Sequence, residues 1–301
     1  MNKQTKSLQS VLVFDGQDDS INLGNKLEFK IEKQITLEAW VYCQNQRRRT
    51  GIVSNVFDTA AQESGYGLLL DGKSGIFFAL KTASQGIHYL SSKVDSLKLN
   101  QWHHLAGTYD GKQIKVYIDG VEKATKTASN SPINYEPEND LFIGTYKDNN
   151  ETYPFQGNIT EVRIWKVART QQEIQNNLYQ RLGGNEPGLV GYWPLNEGSN
   201  NIAHDGTTNA NHGTINGAKW EQSQVPFTNS QSHELLVAKT INKENEATSE
   251  LREAEQKTKE IEKHLLTTGL EDYGFWWQEM LKAQAEKSEP DKPFRRGRIW
   301  T

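Results

Sequence analysis

The sequence predicts an all-β sandwich of two antiparallel sheets followed by a helical C-terminal extension. Three observations carry this. Residues 102–120, WHHLAGTYDGKQIKVYIDG, read as a hairpin. Between residues 11 and 165, short alternating apolar runs are separated by Gly, Asn and Asp turns, the cadence of stacked antiparallel sheets. After Phe227 the chain becomes dense in Glu and Lys with helical rather than strand periodicity.

Taken in order, residues 1–8 are a polar lead. Strands are expected at 11–15, 20–23, 35–42, 51–57, 66–70, 76–81, 88–91, 102–109, 114–119, 141–144 and 158–165. In the third, Ile35, Leu37, Ala39 and Val41 make an unbroken apolar side and Trp40 lies on the other face; alternation of this kind pairs a core face with a polar one. Asp110-Gly111 supplies the hairpin turn, because Gly tolerates positive φ. Ile114, Val116 and Ile118 then alternate with Lys115, Tyr117 and Asp119, so one face is apolar and the other wet, and Asp119-Gly120 signals a second turn. Residues 170–182 read as a helix: Thr170 and Glu173 have capping-box spacing, Ile174, Leu178 and Leu182 form one stripe, and Gly183-Gly184 stops it. Residues 188–220 look like irregular loops with short strands, anchored by Trp193 and Trp220.

Residues 228–233 are linker-like, which divides the chain into 1–227 and 228–301. Within 234–266, Ala247, Leu251, Ala254, Thr258, Ile261 and Leu265 recur at spacings of four and three, a heptad seam suited to a surface helix or a short oligomerising coil. Gly269 breaks it. Residues 270–285 concentrate Tyr273, Phe275, Trp276, Trp277, Met280 and Leu281, a density that calls for burial against the sandwich or another chain. The tail, with Arg295, Arg296 and Trp300, is basic and aromatic together, a composition suited to docking on a partner.

With 301 residues, 35% hydrophobic, the chain still offers eight Trp, eleven Tyr and ten Phe for a core. A net charge of −4 gives no basic excess for nucleic acid. No segment is apolar enough to span a bilayer, and the first residues lack a leader's apolar run, so a cytoplasmic location or leaderless export is expected. Cys43 is the single cysteine, so no intrachain disulfide can form.

The hairpin wording resembles the most recognisable hairpin of the laminin-G-like and pentraxin-like branch of the concanavalin A-like jelly rolls. Four further runs agree in order: FDGQDD from Phe14, ITLEAWV from Ile35, GNITEVRIWKVAR from Gly157 with the helical run after it, and GLVGYWPLNEG from Gly188 followed by DGTTNANHGTINGAKW from Asp205. The resemblance covers residues 7–227 and implies a jelly-roll sandwich whose members bind glycans, proteins or calcium. Pentraxin-like members commonly carry a disulfide between core strands; Cys43 would be one half, and the resemblance puts Ala106 at the other position, so the bridge is absent.

Calcium needs hard oxygens in loops, and two segments offer them: Asp15, Asp18 and Asp19, and then Asp205, Asn209 and Asn211. Asp19 is the leading ligand candidate. The resemblance implies calcium at such rim loops; the alternative is that these side chains satisfy their own turns. A sugar ring needs an aromatic platform beside polar groups, which points to residues 147–155 with Tyr153, Asn149 and Asn150, and to residues 58–66. A glycosidase of this fold would need paired carboxylates on one strand; the only suitable offset, Glu136, Glu138 and Asp140, contains Pro137 and belongs to a loop. His103 and His104 lie on opposite faces of one strand and cannot share a metal, and zinc spacing is also missing around His204 and His212. The expected role is non-catalytic recognition of a carbohydrate or a protein surface, with calcium bracing the loops and residues 234–301 tethering or oligomerising the module. A structural scaffold working through its tail is the second reading, and a glycoside hydrolase the third.

Overall fold

The computed structural model describes residues 7–227, apart from 48, 74, 93–95 and 129, together with 256–259, 263 and 277–282. The chain divides into two units, residues 1–232 and 233–301. In the first unit the strands are β1 (Ser7–Asp15), β2 (Ser20–Gly24), β3 (Ile35–Cys43), β4 (Gly51–Ser54), β5 (Phe57–Asp58), β6 (Glu63–Ser64), β7 (Tyr66–Leu70), β8 (Ile76–Lys81), β9 (Ile87–Ser91) and β10 (Trp102–Tyr109). They continue as β11 (Gln113–Ile118), β12 (Val121–Thr127), β13 (Leu141–Ile143), β14 (Thr145–Lys147), β15 (Thr152–Pro154), β16 (Gln156–Trp165), β17 (Leu189–Trp193), β18 (Ile202–Ala203), β19 (Gly213–Asn216) and β20 (Lys219–Val225). One short helix, α1 (Gln171–Asn176), follows β16.

Two antiparallel sheets of eight strands stack face to face. The first runs β12-β11-β10-β3-β16-β1-β20, with β17 also paired to β16; the second runs β18-β19-β2-β13-β4-β7-β8-β9. This is the expected jelly roll. Alternate residues of each strand fill the space between the sheets: Ile35, Leu37, Ala39 and Val41 from β3 meet Leu68, Leu70, Phe78 and Leu80 from β7 and β8. Gly107 of β10 leaves the gap that the Phe78 ring occupies, since a Cβ there would stand 2.2 Å from the ring. Asp119 (φ 53°) and Gly120 (φ 71°) make the two-residue turn between β11 and β12, with the positive φ at both positions that the hairpin's twist requires.

Several expectations change at the boundaries. The expected strand 51–57 divides, because Ser54 Oγ accepts the Val56 N–H at 3.1 Å and turns the chain out of the ladder. Polar β12 and β20, which lack clean apolar alternation, exist because β11 and β1 offer them a backbone edge. The helix is shorter than 170–182. Its capping box forms as expected, but beyond Asn176 the carbonyls turn inward to side chains of the first sheet: Asn177 O and Gln180 O accept from Arg163 (3.1 and 2.6 Å), and Leu178 O accepts from Trp40 Nε1 (2.9 Å). The bridge position needs correction too. Ala106 pairs with Glu38, five residues from Cys43 along β3, and packs on the outer face with Tyr117 and Ile174, whereas Cys43 faces the core. Burial pushes the Cys43 thiol up to about 12.

Candidate functional site

A sandwich has two outer faces on which a ligand can rest. On the first sheet, the face expected to be wet is closed. Ile174 of α1 packs on Ala106 and Tyr117, while Leu178 and Phe227 pack with Trp40. Beneath this cover lies a group of charges built around the buried Glu38, Glu161 and Arg163. Glu38 is fully buried between Arg163 Nη1 (3.5 Å), Arg169 Nη1 (2.9 Å) and His104 Nε2 (3.3 Å). Glu161 meets Arg163 Nη2 (3.0 Å) and Arg181 Nε (3.4 Å) and accepts from the Tyr192 hydroxyl (2.8 Å). A bulge between Thr160 and Arg163, with Glu161 at φ 53°, lets both charged side chains share this face while Ile159 and Val162 stay in the core. Burial alone would raise the Glu38 carboxyl, but His104, Arg163 and Arg169 overcome it and hold the group at about 2. The arrangement binds α1 to the sheet and leaves no room for a ligand.

The second sheet's outer face is open. Ile76, Phe78 and Leu80 of β8 point inward, so Phe77 and Ala79 point outward, joined by Leu69 of β7, Ile87 and Tyr89 of β9, and Tyr146 and Tyr153 of the β14–β15 hairpin. Phe77, Tyr89 and Tyr153 are only half-buried. Their rings pair edge-on or tilted, Phe77 with Tyr89 at 5.6 Å and Tyr146 with Tyr153 at 5.7 Å between centroids. Polar groups stand among them. Arg49 lies over the Tyr89 ring at 5.9 Å, with Asp58 at 3.7 Å and Glu151 at 3.5 Å from its guanidinium. The Tyr89 hydroxyl donates to Asp58 and the Tyr146 hydroxyl to Asp148. Glu63 accepts from Lys81 Nζ at 3.1 Å and from the Ile87 N–H at 2.9 Å. Burial alone would lower the Arg49 guanidinium, but Tyr89, Asp58, Glu151 and Tyr146 raise it above its usual range.

The face unites the two segments singled out for sugar contact, 58–66 and 147–155. Tyr153 lies on it half-buried, while Asn149 and Asn150 are exposed at the hairpin tip, where the Asn150 N–H donates to Asp148 Oδ1 at 3.0 Å. Phe77, Tyr89 and Arg49 escaped the sequence reading. A signal for them existed: residues 76–80, IFFAL, are apolar on both phases of the strand, so the outward phase also needs a purpose.

The two calcium candidates part ways. Asp205 uses its whole carboxylate on its own loop: Oδ1 accepts from Tyr192 N and Thr207 N, and Oδ2 from Thr207 Oγ1 and Asn211 N, all at 2.8–3.0 Å. Asn209 donates to Val190 O at 2.8 Å. That is turn chemistry, which occupies the Asp205 carboxylate with four protein donors. In the first loop, Asp15, Asp18 and Asp19 bring carboxylate oxygens within 4.8 Å of one another. Asp19 accepts the Asp15 N–H at 2.7 Å. Burial, and then the charges of Asp15 and Asp18, raise its carboxyl above the usual range. Three hard oxygens crowded in this way suit calcium.

The remaining sites are accounted for briefly. His103 Nδ1 lies 2.7 Å from Asp119 and His104 packs on Trp40, so these histidines serve the hairpin. Glu138 accepts from Asn25 at 2.5 Å in a strandless segment. Trp277 is 47% exposed in the helical stretch 277–282; Trp276, Arg295, Arg296 and Trp300 lie outside the described residues. No helix among the described residues is long and apolar enough to cross a membrane.

Two stacked eight-stranded antiparallel sheets define a jelly-roll β-sandwich, and comparison places it. The chain belongs to the Laminin G 3 family of the concanavalin A-like lectin/glucanases superfamily, which matches residues 15–175. Mouse pappalysin-1 is 28% identical over 184 residues, and human pappalysin-1 26% over 181; each match takes in 56% of this chain and 11% of the relative, so the chain spans about a tenth of those proteins. A putative carbohydrate binding protein from Bacteroides ovatus shares the fold at a TM-score of 0.58 and 20% identity, over 73% of this chain and 62% of the other.

Proposed function

We propose that this chain is a non-catalytic recognition module that binds carbohydrate on the open face of its second sheet. One observation carries the reading: on this face Phe77, Tyr89 and Tyr153 stand half-exposed beside Arg49 and Glu151, whose polar groups are not fully satisfied by the described residues. A sugar ring has one apolar side and a belt of hydroxyls, and Phe77, Tyr89 and Tyr153 match the first as Arg49, Asp58 and Glu151 match the second. The resemblance in fold to a putative carbohydrate binding protein supports it.

A glycan array with the full chain tests this. Binding is expected, and Tyr153→Ala and Tyr89→Ala should each weaken it about tenfold or more; an array with no hits, or variants that bind as the parent does, overturns the reading. Calcium enters as a brace held by Asp15, Asp18 and Asp19 at the sandwich rim. It should raise the melting temperature of the parent protein but not of Asp19→Ala, and equal responses would remove these ligands.

A second reading, assembly through residues 234–301, draws on Trp277, Met280 and Leu281, which present an exposed apolar stripe at helical spacing. Light scattering on the full chain tests it; a monomer at high concentration rules out self-assembly.

A further inference from the structure

The open face has a centre, and its chemistry narrows the ligand. Arg49 is held at φ 67°, a backbone conformation that non-glycine side chains seldom adopt and that is typically retained where function requires it. Its guanidinium is a third exposed and meets Asp58 and Glu151 only at 3.7 and 3.5 Å, without a hydrogen bond to either. Glu151 Oε2 has no hydrogen-bond partner among the described residues although it is shielded from water. A donor fork and an acceptor oxygen thus face each other, each with capacity left over. A hydroxyl oxygen about 2.8 Å from both forms the apex of a triangle on that 3.5 Å base, accepting from Arg49 and donating to Glu151. The neighbouring hydroxyl of a vicinal pair then falls on the Asp58 side, with the sugar's apolar side toward the tyrosines.

The charge is also net negative. Two carboxylates flank one guanidinium, and neighbouring Lys81 is already engaged by Glu63. An anionic sugar would meet Asp58 and Glu151 before it found an unshared cation, and like-charge contact is a strong discriminator.

Building on the carbohydrate reading, we propose that Arg49, bracketed by Asp58 and Glu151, determines specificity at this site for a neutral sugar presenting vicinal hydroxyls, and that the two carboxylates exclude acidic sugars.

The test is a glycan array carrying neutral hexose and pentose glycans beside sialylated, sulfated and uronic acid glycans, probed with the full chain and variants of it. The parent protein should bind neutral glycans. Arg49→Gly, which relieves the positive φ while removing the guanidinium, should lose about tenfold or more in affinity with its melting temperature unchanged or raised. The double variant Asp58→Asn/Glu151→Gln should gain acidic-glycan binding, a result that misfolding cannot produce. A parent preference for acidic glycans, or Arg49→Gly binding as tightly as the parent, overturns this inference and leaves the carbohydrate reading standing if Tyr153→Ala still weakens binding. Absence of binding to either glycan set sinks both.

Discussion

The two outer faces of this sandwich are built from the same kind of strand, yet the chain treats them in opposite ways. On the first sheet, α1 and the segment to Phe227 cover Trp40 and Tyr117 and enclose Glu38, Glu161 and Arg163, with Arg169 and Arg181 at the margin, so much of what could have been a binding surface becomes a second core. On the second sheet nothing comparable among the described residues covers Phe77, Tyr89 and Tyr153. The lesson concerns charge as much as shape. Where Arg163 and Glu161 are enclosed, every contact is to the protein itself, including helix-terminal carbonyls; where Arg49 stands in the open, its contacts are long and unsaturated. Buried charges must be satisfied internally, whereas exposed ones can wait for a ligand.

This contrast can be broken experimentally. The largest expected effect is on the sealed face: Arg163→Ala leaves Glu38 and Glu161 buried without their shared partner and should cost about 3–5 kcal/mol, read by urea unfolding. A loss below about 1 kcal/mol would mean that water reaches this face after all.

Next is the acid limb. The Glu38 carboxyl lies at about 2 when folded, against 4.5 ordinarily. A depressed carboxyl contributes stability that is full above its ordinary value and lost as pH falls through the folded one, so stability should decline from about pH 5 to pH 2 by on the order of 3 kcal/mol from this group. Glu38→Gln should flatten that limb; an unchanged slope would assign acid sensitivity elsewhere. The smallest effect sharpens the comparison from the other side. Tyr153→Ala should cost only about 1 kcal/mol of stability while removing most glycan affinity, the reverse of the pattern at Arg163. Denaturant midpoints and array signals on the same preparations separate the two.

Local chemistry explains which features were legible from the residues. The hairpin, its two turns and the capping box each depend on side chains within a few positions of one another, and all formed as the spacing indicated. The core sides of β3 and β11 followed from alternation alone. Long-range pairings were less accessible. Glu38 meets Arg163 and Arg169 across more than a hundred residues of chain, so nothing near Trp40 announced that its face would be covered. The helix lost its last turns for the same reason, its carbonyls answering to Arg163 and Trp40 rather than to local propensity. Asp205 looked like a metal ligand because its loop partners, Tyr192 and Asn211, are backbone donors that composition does not reveal.

By itself, then, the sequence determined the all-β class, most strand positions and the turn geometry, because period-two alternation and glycine turns act over a few residues, while its ordered motifs carried the resemblance to the jelly-roll family. Which face is sealed, which is open, and that residues 49, 58, 77, 89, 151 and 153 converge were decided only when the strands paired. Backbone ladders and burial join segments far apart in the chain, and the chemistry of a surface belongs to those junctions rather than to any one stretch.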